Sequence, residues 1–300
     1  RADAPGYAER LAELAGRWGA DAVVPSGSEE LVPLARAAAA FPMPLLLGDE
    51  AAVRDHFFPV MVRILERHGA GTRFNIKVDP ADGLLAAGEA GVQLTWMDAK
   101  VDGHVITPRH GKPVEINALW YNALRIRDLL AGRLGLAPEA HAETAARVLA
   151  SFRTAFWNEE AGCLYDVITG GRKDAAIRPN QLFAVCLPFP LLEREAARQV
   201  VDTVTTHLLT PYGLRSLSPG DPQFRPVFSG DRWSRDSAYH QGTVWSWLIG
   251  PYVFSLFAVR GDTPELRAPV RALLAPLLNH LDCDGLDCIS ENFDGFFPTE

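Results

Sequence analysis

The apolar residues of this chain recur mostly at intervals of three and four positions, which is the pattern of helices with one buried face. The ranges that carry this pattern are 7–18, 29–41, 51–68, 114–134, 138–158, 191–208, 240–260 and 263–280. Several begin as helices do; the segment 262–265 (DTPE), for example, places a capping residue and a proline at the first turn. Long helices in sequence-adjacent pairs, joined by loops rich in glycine, proline and aromatic residues, predict an all-α fold arranged as an α/α barrel or helical toroid.

The N-terminal residues differ from the rest of the chain. Strand-like runs at 21–24 and 43–47 alternate with the helical ranges 7–18 and 29–41, which predicts a small α/β segment. Such a segment is too small to hold a hydrophobic core alone, so we expect it to pack on the helical part of the chain. We therefore predict an N-terminal appendage of unknown role over residues 1–47 and a helical domain over residues 48–300.

Composition and charge narrow the class of protein. With 48% hydrophobic and 22% charged residues among 300, the chain has enough apolar side chains for a substantial core. Its net charge of −8 argues against a nucleic-acid or anionic-membrane partner, because both favour basic surfaces. No apolar run approaches the roughly eighteen residues of a membrane span, and no secretory signal is recognisable. We expect no nucleic-acid and no membrane partner, and the oligomeric state stays open.

The cysteines bear on the compartment and on cofactors. Cys163, Cys186, Cys283 and Cys288 are too few and too scattered for a disulfide framework. Cys283 and Cys288 are close enough in sequence to form a bridge, but two reduced thiols in a reducing cytoplasm are the simpler expectation. No Cys/His spacing of the zinc type and no glycine-rich phosphate loop occurs, so we expect neither a metal ion nor a cofactor.

The candidate chemistry lies in long polar segments between the helices. A connection of about five residues is usual in compact domains, whereas the polar and aromatic stretch that begins at Asp82 continues to the helix predicted at 114. Ionisable groups beside indole rings are typical of a site for a polar, flat-faced molecule such as a sugar. Polar-aromatic density also marks 95–100 (TWMDAK), 112–122 (KPVEINALWYN), 177–181 (IRPNQ), 235–247 (RDSAYHQGTVWSW) and 290–295 (SENFDG). Helix starts facing one end of a toroid would bring these segments to one cleft.

From about residue 48 to the end, the chain resembles the amylo-α-1,6-glucosidase domain of glycogen debranching enzymes. The residues that carry the resemblance are 71–101 (GTRFNIKVDPADGLLAAGEAGVQLTWMDAKV), 107–124 (TPRHGKPVEINALWYNAL), 177–192 (IRPNQLFAVCLPFPLL), 208–224 (LLTPYGLRSLSPGDPQF) and 239–253 (YHQGTVWSWLIGPYV). Five ordered motifs of this length are a specific signal.

The resemblance implies an (α/α)6 barrel that hydrolyses α-1,6-linked glucosyl branch stubs of glycogen or a related α-glucan with inversion. Acid, base and water suffice for this reaction, so it implies no cofactor. We count roughly four helical hairpins where the family has six, and residues 1–47 do not match the family's earlier barrel segment. We therefore expect an incomplete barrel.

Two carboxylates match the family's catalytic pair. An inverting glycosidase needs an acid that protonates the leaving oxygen and a base that activates water on the opposite face, with the carboxyl groups about 6.5–9.5 Å apart. Asp98 is the predicted acid, and Trp96 would stack on a glucose ring or desolvate that acid. Glu291 is the predicted base; the alternatives are that Asp294 takes this role or that Glu291 is a solvated surface acid. Without the motif, Asp98 reads as a helix cap or ion-pair partner.

Further residues of the matched motifs are predicted to bind substrate or shape the cleft. They are Trp96, Lys112, Glu115, Asn117, Trp120, Arg178, Asn180, Gln181, His240, Gln241 and Trp245. The imidazole and amide groups among them can both donate and accept hydrogen bonds, which suits sugar hydroxyls. The alternatives are a structural histidine at position 240 and core packing for the two tryptophans on predicted helices, Trp120 and Trp245.

Other functions stay open at this point. The first alternative is a carbohydrate-binding relative that keeps the cleft but has lost turnover. A second is a fragment without a function of its own, and a third is a different glycosidase specificity, such as trehalose or glucoamylase-like action. Calorimetry with maltooligosaccharides separates binding alone from hydrolysis.

Overall fold

The computed structural model describes residues 10–13, 17, 53–136, 141–283 and 287–296. Residues 10–13 and 17 are helical, within the helix predicted at 7–18. The predicted helix at 29–41 and the predicted strands at 21–24 and 43–47 lie outside the described residues, so the α/β appendage stays a prediction. No helix in the described part of the chain is long and apolar enough to cross a membrane.

About half of the described residues are helical, and the strands are only two or three residues long. A π-helical turn at Val53–Phe57 leads into the first α-helix. The helices are α1 (Phe58–Ala70), α2 (Val114–Arg133), α3 (His141–Phe156), α4 (Phe183–Cys186), α5 (Arg194–Leu208), α6 (Arg232–Ala238), α7 (Ile249–Arg260) and α8 (Pro264–Cys283). The 3-10 turns are Pro179–Leu182 and Ser246–Leu248.

The strands form small antiparallel pairs and sheets. They are β1 (Lys77–Val78), β2 (Leu85–Ala86), β3 (Lys100–Val101), β4 (His104–Val105), β5 (Lys112–Pro113), β6 (Trp157–Asn158), β7 (Cys163–Leu164), β8 (Val167–Thr169), β9 (Arg172–Asp174), β10 (Leu209–Thr210), β11 (Gly213–Arg215), β12 (Val244–Trp245) and β13 (Asn292–Phe293). The pairs are β1–β2, β3–β4 and β6–β7, and the larger sheets have the orders β5–β8–β9 and β10–β11–β12–β13.

Most helices predicted from periodicity are confirmed, with ends shifted by a few residues. The helix predicted at 114–134 is α2, and the one at 263–280 is α8, whose first turn is capped by the Thr263 hydroxyl accepting from Leu266 N at 3.3 Å. The helix predicted at 240–260 is wrong in its first part, since α7 begins only at Ile249. Gly242 there has a φ of +144°, and β12 is hydrogen-bonded into a sheet on both sides.

The chain divides into two compact units. The first comprises residues 1–70 and 122–147, and the second comprises residues 71–121 and 148–300. In the described part of the first unit, Val53, Leu130 and Leu134 form a buried apolar cluster. Partly buried side chains that pack against this cluster are Phe58, Met61, Ile126 and Leu136.

The core of the second unit is built on helices α3 and α5. In α5 the buried residues are Ala197, Val200, Val201, Val204 and Leu208, at the spacing of one helix face. In α3, Phe152 and Phe156 are completely buried and their rings stack with centroids 4.6 Å apart. The ring-shaped arrangement of helical hairpins expected from the resemblance stays a prediction.

Two sheets in the second unit place polar segments side by side. In the first, β5 pairs with β8, and Val114 N donates to Asp166 O at 2.9 Å, so Asp166 lies beside the start of α2. In the second, β12 lies between β11 and β13. Gly213 in β11 has a φ of +140°, and a Cβ there would clash with the carbonyl oxygen of Trp245. Only glycine therefore permits this close approach.

Candidate active site

Trp96 is held in a fixed orientation by both its polar and its apolar contacts. Its indole N–H donates to Asn180 Oδ1 at 2.7 Å. Its ring meets those of His240, Trp245 and Trp247 edge-on, with centroids 5.2 to 5.4 Å away. Edge-to-face contacts of this kind are the arrangement that aromatic quadrupoles favour. The segment that continues to Asp98 therefore begins at an anchored side chain.

Asp98 and Glu291, the predicted acid and base, are both exposed and both lie near Tyr239. The Tyr239 hydroxyl donates to Glu291 Oε2 at 2.5 Å. Burial raises the pKa of Tyr239, and the carboxylates of Glu291, Asp98 and Asp236 raise it further. The raised pKa keeps the phenol protonated, so it remains the donor in the hydrogen bond to Glu291.

The four-stranded sheet explains why Glu291 reaches Tyr239 from a distant part of the sequence. Strand β13 pairs with β12 so that Asn292 faces Trp245, and Glu291 comes directly before Asn292. Ser246 Oγ donates to Ser290 O at 3.0 Å and ties the two segments together on the other side of that pair. We call Asp98, Tyr239 and Glu291 the acid face. Its residues come from separate segments of the chain, and the pairing of β12 with β13 brings Glu291 to Tyr239.

Arg109, Asp166 and Glu115 form a buried ion network in the same unit. Arg109 Nε donates to Asp166 Oδ2 at 2.7 Å, and its two terminal nitrogens donate to the two carboxylate oxygens of Glu115. All three side chains are at most 3% exposed. Burial by itself would lower the pKa of Arg109, but the charges and hydrogen bonds of Asp166 and Glu115 outweigh burial and raise it. The charge of Glu115, a predicted substrate contact, is therefore balanced by the charge of Arg109 inside the protein.

Arg178 and Asn180 extend the network toward the aromatic side chains. Asn180 Nδ2 donates to Asp166 Oδ1 at 2.8 Å, while its oxygen accepts from the Trp96 indole. Arg178 donates to His240 O at 2.8 Å and to Gln241 Oε1 at 2.6 Å. Burial lowers the pKa of Arg178. These hydrogen bonds link the ion network to Trp96 in one direction and to the 240–241 segment in the other.

His240 is completely buried and stacks on Trp245, with ring centroids 5.0 Å apart and planes 13° apart. Neither of its ring nitrogens has a hydrogen-bond partner among the described residues. Burial lowers the pKa of His240 to about 3, and the positive charges of Arg178 and Arg109 lower it as well. The imidazole is therefore neutral above that pH. It packs as an uncharged ring among the aromatic side chains of Trp96, Tyr239 and Trp245.

The remaining predicted contacts near the start of α2 have protein partners. Lys112 Nζ donates to Asp79 at 2.7 Å and to Asp82 at 2.6 Å. Asn117 has no exposed surface; it accepts from Leu85 N at 2.7 Å and donates to backbone carbonyls. Trp120 is buried and donates to the Gly83 carbonyl at 3.3 Å. Substrate contact by these side chains stays a prediction.

The two predicted glutamines are also buried and bonded within the protein. Gln181 accepts from Leu164 N at 3.2 Å and donates to Arg178 O at 3.1 Å. Gln241 accepts from Arg178 and donates to Gln223 Oε1 at 2.9 Å. Trp245 is 6% exposed and donates to Tyr239 O at 3.0 Å. Their geometry is that of a scaffold around the acid face.

Three residues of this arrangement, Tyr239, Asp166 and Arg109, were not among the predicted site residues, although Arg109 lies in the motif at 107–124. Tyr239 belongs to the YHQGTVW motif, and its position next to His240 was a usable signal. No sequence signal marked Asp166. It lies between the short strands β7 and β8, and its partners Arg109 and Asn180 are 57 and 14 positions away in the sequence.

The described residues contain no group of three or more His, Cys, Asp and Glu side chains that could hold a metal ion. The four cysteines are free, and burial raises the pKa of both Cys163 and Cys186 to about 11.

The acid face supplies carboxylates, a phenol donor and adjacent aromatic surface. These groups suit proton transfer to and from a sugar.

Comparisons with known structures give matches of limited similarity. Mannosylglycerate hydrolase from Thermus thermophilus in complex with glucose is 20% identical with a TM-score of 0.47, and the match covers 62% of this chain and 40% of that one. Neutral trehalase from Saccharomyces cerevisiae is 14% identical with a TM-score of 0.47, covering 61% of this chain and 34% of that one. Matches at this level carry no argument about the function of this chain.

Comparisons of sequence are more informative. The glycogen debranching enzyme of Saccharomyces cerevisiae is 25% identical over 260 residues; the match covers 65% of this chain and 17% of the yeast protein. The chain thus matches only a small part of that relative's length. A family model described as amylo-alpha-1,6-glucosidase matches residues 45–299, the part of the chain in which the acid face and its buried network lie. On that match, the chain belongs to the amylo-alpha-1,6-glucosidase family of glycoside hydrolases.

Proposed function

We propose that this chain is an α-1,6-glucosidase that removes single glucosyl branch stubs from glycogen or a related α-glucan with inversion. The observation that supports the proposal is the hydrogen bond from the Tyr239 hydroxyl to Glu291, together with the exposure of both predicted carboxylates, Asp98 and Glu291. Family membership and the likeness to a glycogen debranching enzyme support the choice of substrate. A cytoplasmic location agrees with such a substrate and is part of the proposal.

In the proposed mechanism, Asp98 in its protonated form donates to the oxygen of the breaking glycosidic bond. Glu291 as a carboxylate removes a proton from a water molecule that attacks the anomeric carbon from the opposite face. Proton donation and water attack in one step produce β-glucose from an α-linkage. Tyr239 donates to Glu291 and so holds the base in one orientation while leaving its other oxygen for water.

The buried residues have a positioning role in this proposal. Asn180 anchors the Trp96 indole two residues before Asp98, and the charge on Asp166 fixes the orientation of the Asn180 amide. Arg178 fixes the backbone of His240, next to Tyr239. Glucose recognition is assigned to the exposed surface around the acid face, and the partly exposed Trp96 is an aromatic side chain available to it.

The test is release of glucose from a singly branched oligosaccharide by the purified chain. Asp98→Asn and Glu291→Gln each remove one proton-transfer group, so each is expected to lower kcat by about a thousandfold or more. The matched control is Asp262→Asn, which changes an exposed acid that pairs with the exposed Arg267 and should leave kcat unchanged. Proton NMR during the first turnovers should show β-glucose before mutarotation.

Three outcomes contradict the proposal. Glucose release that survives Asp98→Asn removes this residue from the acid role. Initial formation of α-glucose excludes inversion. Binding of the branched substrate without any release by the unmodified chain would instead make it a carbohydrate-binding relative.

A further inference from the structure

An exposed indole lies beside the acid face and has no part in the proposed mechanism. Trp233, in helix α6, is 46% exposed. The ring of His104, which is also exposed, lies 5.7 Å from it between centroids, with the two planes 40° apart. An exposed indole offers a broad apolar ring with a polar N–H edge for ligand contact.

The elements that carry these two rings are short and well defined. His104 is in the hairpin of β3 and β4, whose tip residues Asp102 and Gly103 have φ angles of +47° and +83°. This is the backbone of a two-residue turn that matches the twist of the strands, so the hairpin is compact. Helix α6 is capped by the Asp231 side chain, which accepts from Ser234 N at 2.8 Å. The two rings are therefore presented by ordered backbone.

The two elements that carry the rings also carry charged side chains that could bind hydroxyl groups. Arg232 lies 3.8 Å from an Asp102 oxygen and 3.5 Å from an Asp236 oxygen, both at the long end of ion-pair distances. The side chains of Arg232 and Asp102 are 65% and 84% exposed, so both are largely open to solvent. An apolar ring face beside such donors and acceptors matches a pyranose, which has an apolar C–H face and polar edges.

The position of this surface connects it to the acid face. Asp236, on the same short helix as Trp233, is one of the carboxylates that raise the pKa of Tyr239. On the other side, strand β3 begins at Lys100, two residues after Asp98. A glucan chain whose branch stub reaches Asp98 would therefore pass close to both elements.

We propose that Trp233 and His104, with Arg232 and Asp102 at the edge, form an acceptor subsite that binds the α-1,4-linked main chain carrying the branch. The inference rests on the proposed function for its place in catalysis. Binding of an unbranched glucan, by contrast, can be measured whether or not the chain hydrolyses anything. The subsite would make the enzyme prefer branch stubs on long chains to those on short ones.

The experiment compares the unmodified chain with Trp233→Ala, Trp233→Phe and the control Phe254→Ala, which removes a more exposed aromatic ring from α7. Affinity for maltohexaose is measured by calorimetry. Kinetics are measured on a branched glucan and on α-glucosyl fluoride, which fills only the glucose site. Trp233→Ala should weaken maltohexaose binding and raise KM for the branched glucan by about fivefold to tenfold, the effect of one lost ring contact. Turnover of α-glucosyl fluoride should not change, and Trp233→Phe should recover most of the affinity.

The subsite is overturned if the unmodified chain does not bind maltohexaose, or if Trp233→Ala binds it equally well. An equal loss of activity on α-glucosyl fluoride would also overturn it, because that pattern indicates a structural role. Unchanged maltohexaose affinity with altered sedimentation of Trp233→Ala would assign the surface to a second copy of the chain. If maltohexaose binding depends on Trp233 but no substrate is hydrolysed, the subsite stands and the proposed function fails.

Discussion

Two polar regions within residues 71–121 and 148–300 use similar side chains in opposite ways. The ion network of Arg109, Glu115 and Asp166 is almost completely buried, and each of its charges is paired. At the acid face, Asp98 and Glu291 are exposed, and Glu291 accepts its hydrogen bond from a single phenol. A buried charge is stable only when it is paired and hydrogen-bonded, and the network meets that condition within the protein. The carboxylates of the acid face are instead open to solvent.

The comparison shows that two acidic residues from shared motifs can stand in opposite environments. Glu115 and Asp98 both belong to motifs shared with the family, and in the sequence only the resemblance gives them different roles. Burial ranks them, because Glu115 is 3% exposed and held by Arg109, whereas Asp98 is open to solvent. Substitutions in the network should therefore reduce stability first, and substitutions at the acid face should reduce activity at nearly constant stability.

The largest expected effect on stability comes from Arg109→Met. This change keeps much of the side-chain volume but leaves the carboxylates of Asp166 and Glu115 buried without their main partner. Breaking a buried ion pair by removing one partner costs about 3–5 kcal/mol. The free energy of unfolding in urea should fall by that amount.

The control for Arg109→Met is Arg198→Met, which breaks exposed pairs with Glu195 and Asp202 on α5. Exposed pairs contribute about 0–1 kcal/mol, so this variant should unfold almost as the unmodified chain does. Equal decreases in the free energy of unfolding of the two variants would show that the buried network contributes no more to stability than the exposed pairs.

The helices were predictable because their apolar spacing is regular over many residues. Helix α2 has the predicted start and ends one residue early, and α5 starts three residues late. The segment 240–248 was not predictable by periodicity, since a short apolar run such as Val244–Trp245 fits helix and strand equally well. Its partners β11 and β13 decide for the strand, and they lie far away in the sequence.

The candidate site was predictable where it coincides with motifs, and not where it depends on long-range pairing. The segments of Trp96, Asp98 and Glu291 were found through resemblance, which carries information about the fold that local patterns lack. Asp166 makes the central contacts of the buried network, yet a single aspartate after Tyr165 has no local pattern. Burial of individual polar side chains follows from tertiary packing and is not encoded in any one segment.

The next expected effect is on the pH dependence of stability, through His240. Its pKa is lowered to about 3 in the folded protein and is about 6.5 in an unfolded chain. Unfolding therefore takes up a proton between these values, so this contribution to stability is complete above about pH 6.5 and is lost as the pH falls toward 3. From pH 7 to pH 5 the loss should amount to about 2 kcal/mol.

His240→Leu should remove this component, so the variant should lose about 2 kcal/mol less than the unmodified chain between pH 7 and pH 5. Urea unfolding at the two pH values measures the difference. His207→Gln is the control, because it also removes an imidazole, one that is exposed at the end of α5. The same pH dependence in His240→Leu as in the unmodified chain would mean that this imidazole is not held neutral by burial.

The smallest expected effect, and the sharpest probe of the acid face, comes from Tyr239→Phe. The phenylalanine ring can keep the contacts with His240 and Trp245, whose centroids are 4.7 and 4.8 Å away, and only the hydrogen bond to Glu291 is lost. Because Glu291 is exposed, water can replace the phenol, so the melting temperature should change little. An incorrectly oriented base should lower kcat on the branched substrate by about tenfold, or about 1.4 kcal/mol. Tyr252→Phe, which loses a hydroxyl contact with Thr205 at 2.8 Å, should leave kcat unchanged. Unchanged kcat in Tyr239→Phe would mean that the base is oriented without the phenol.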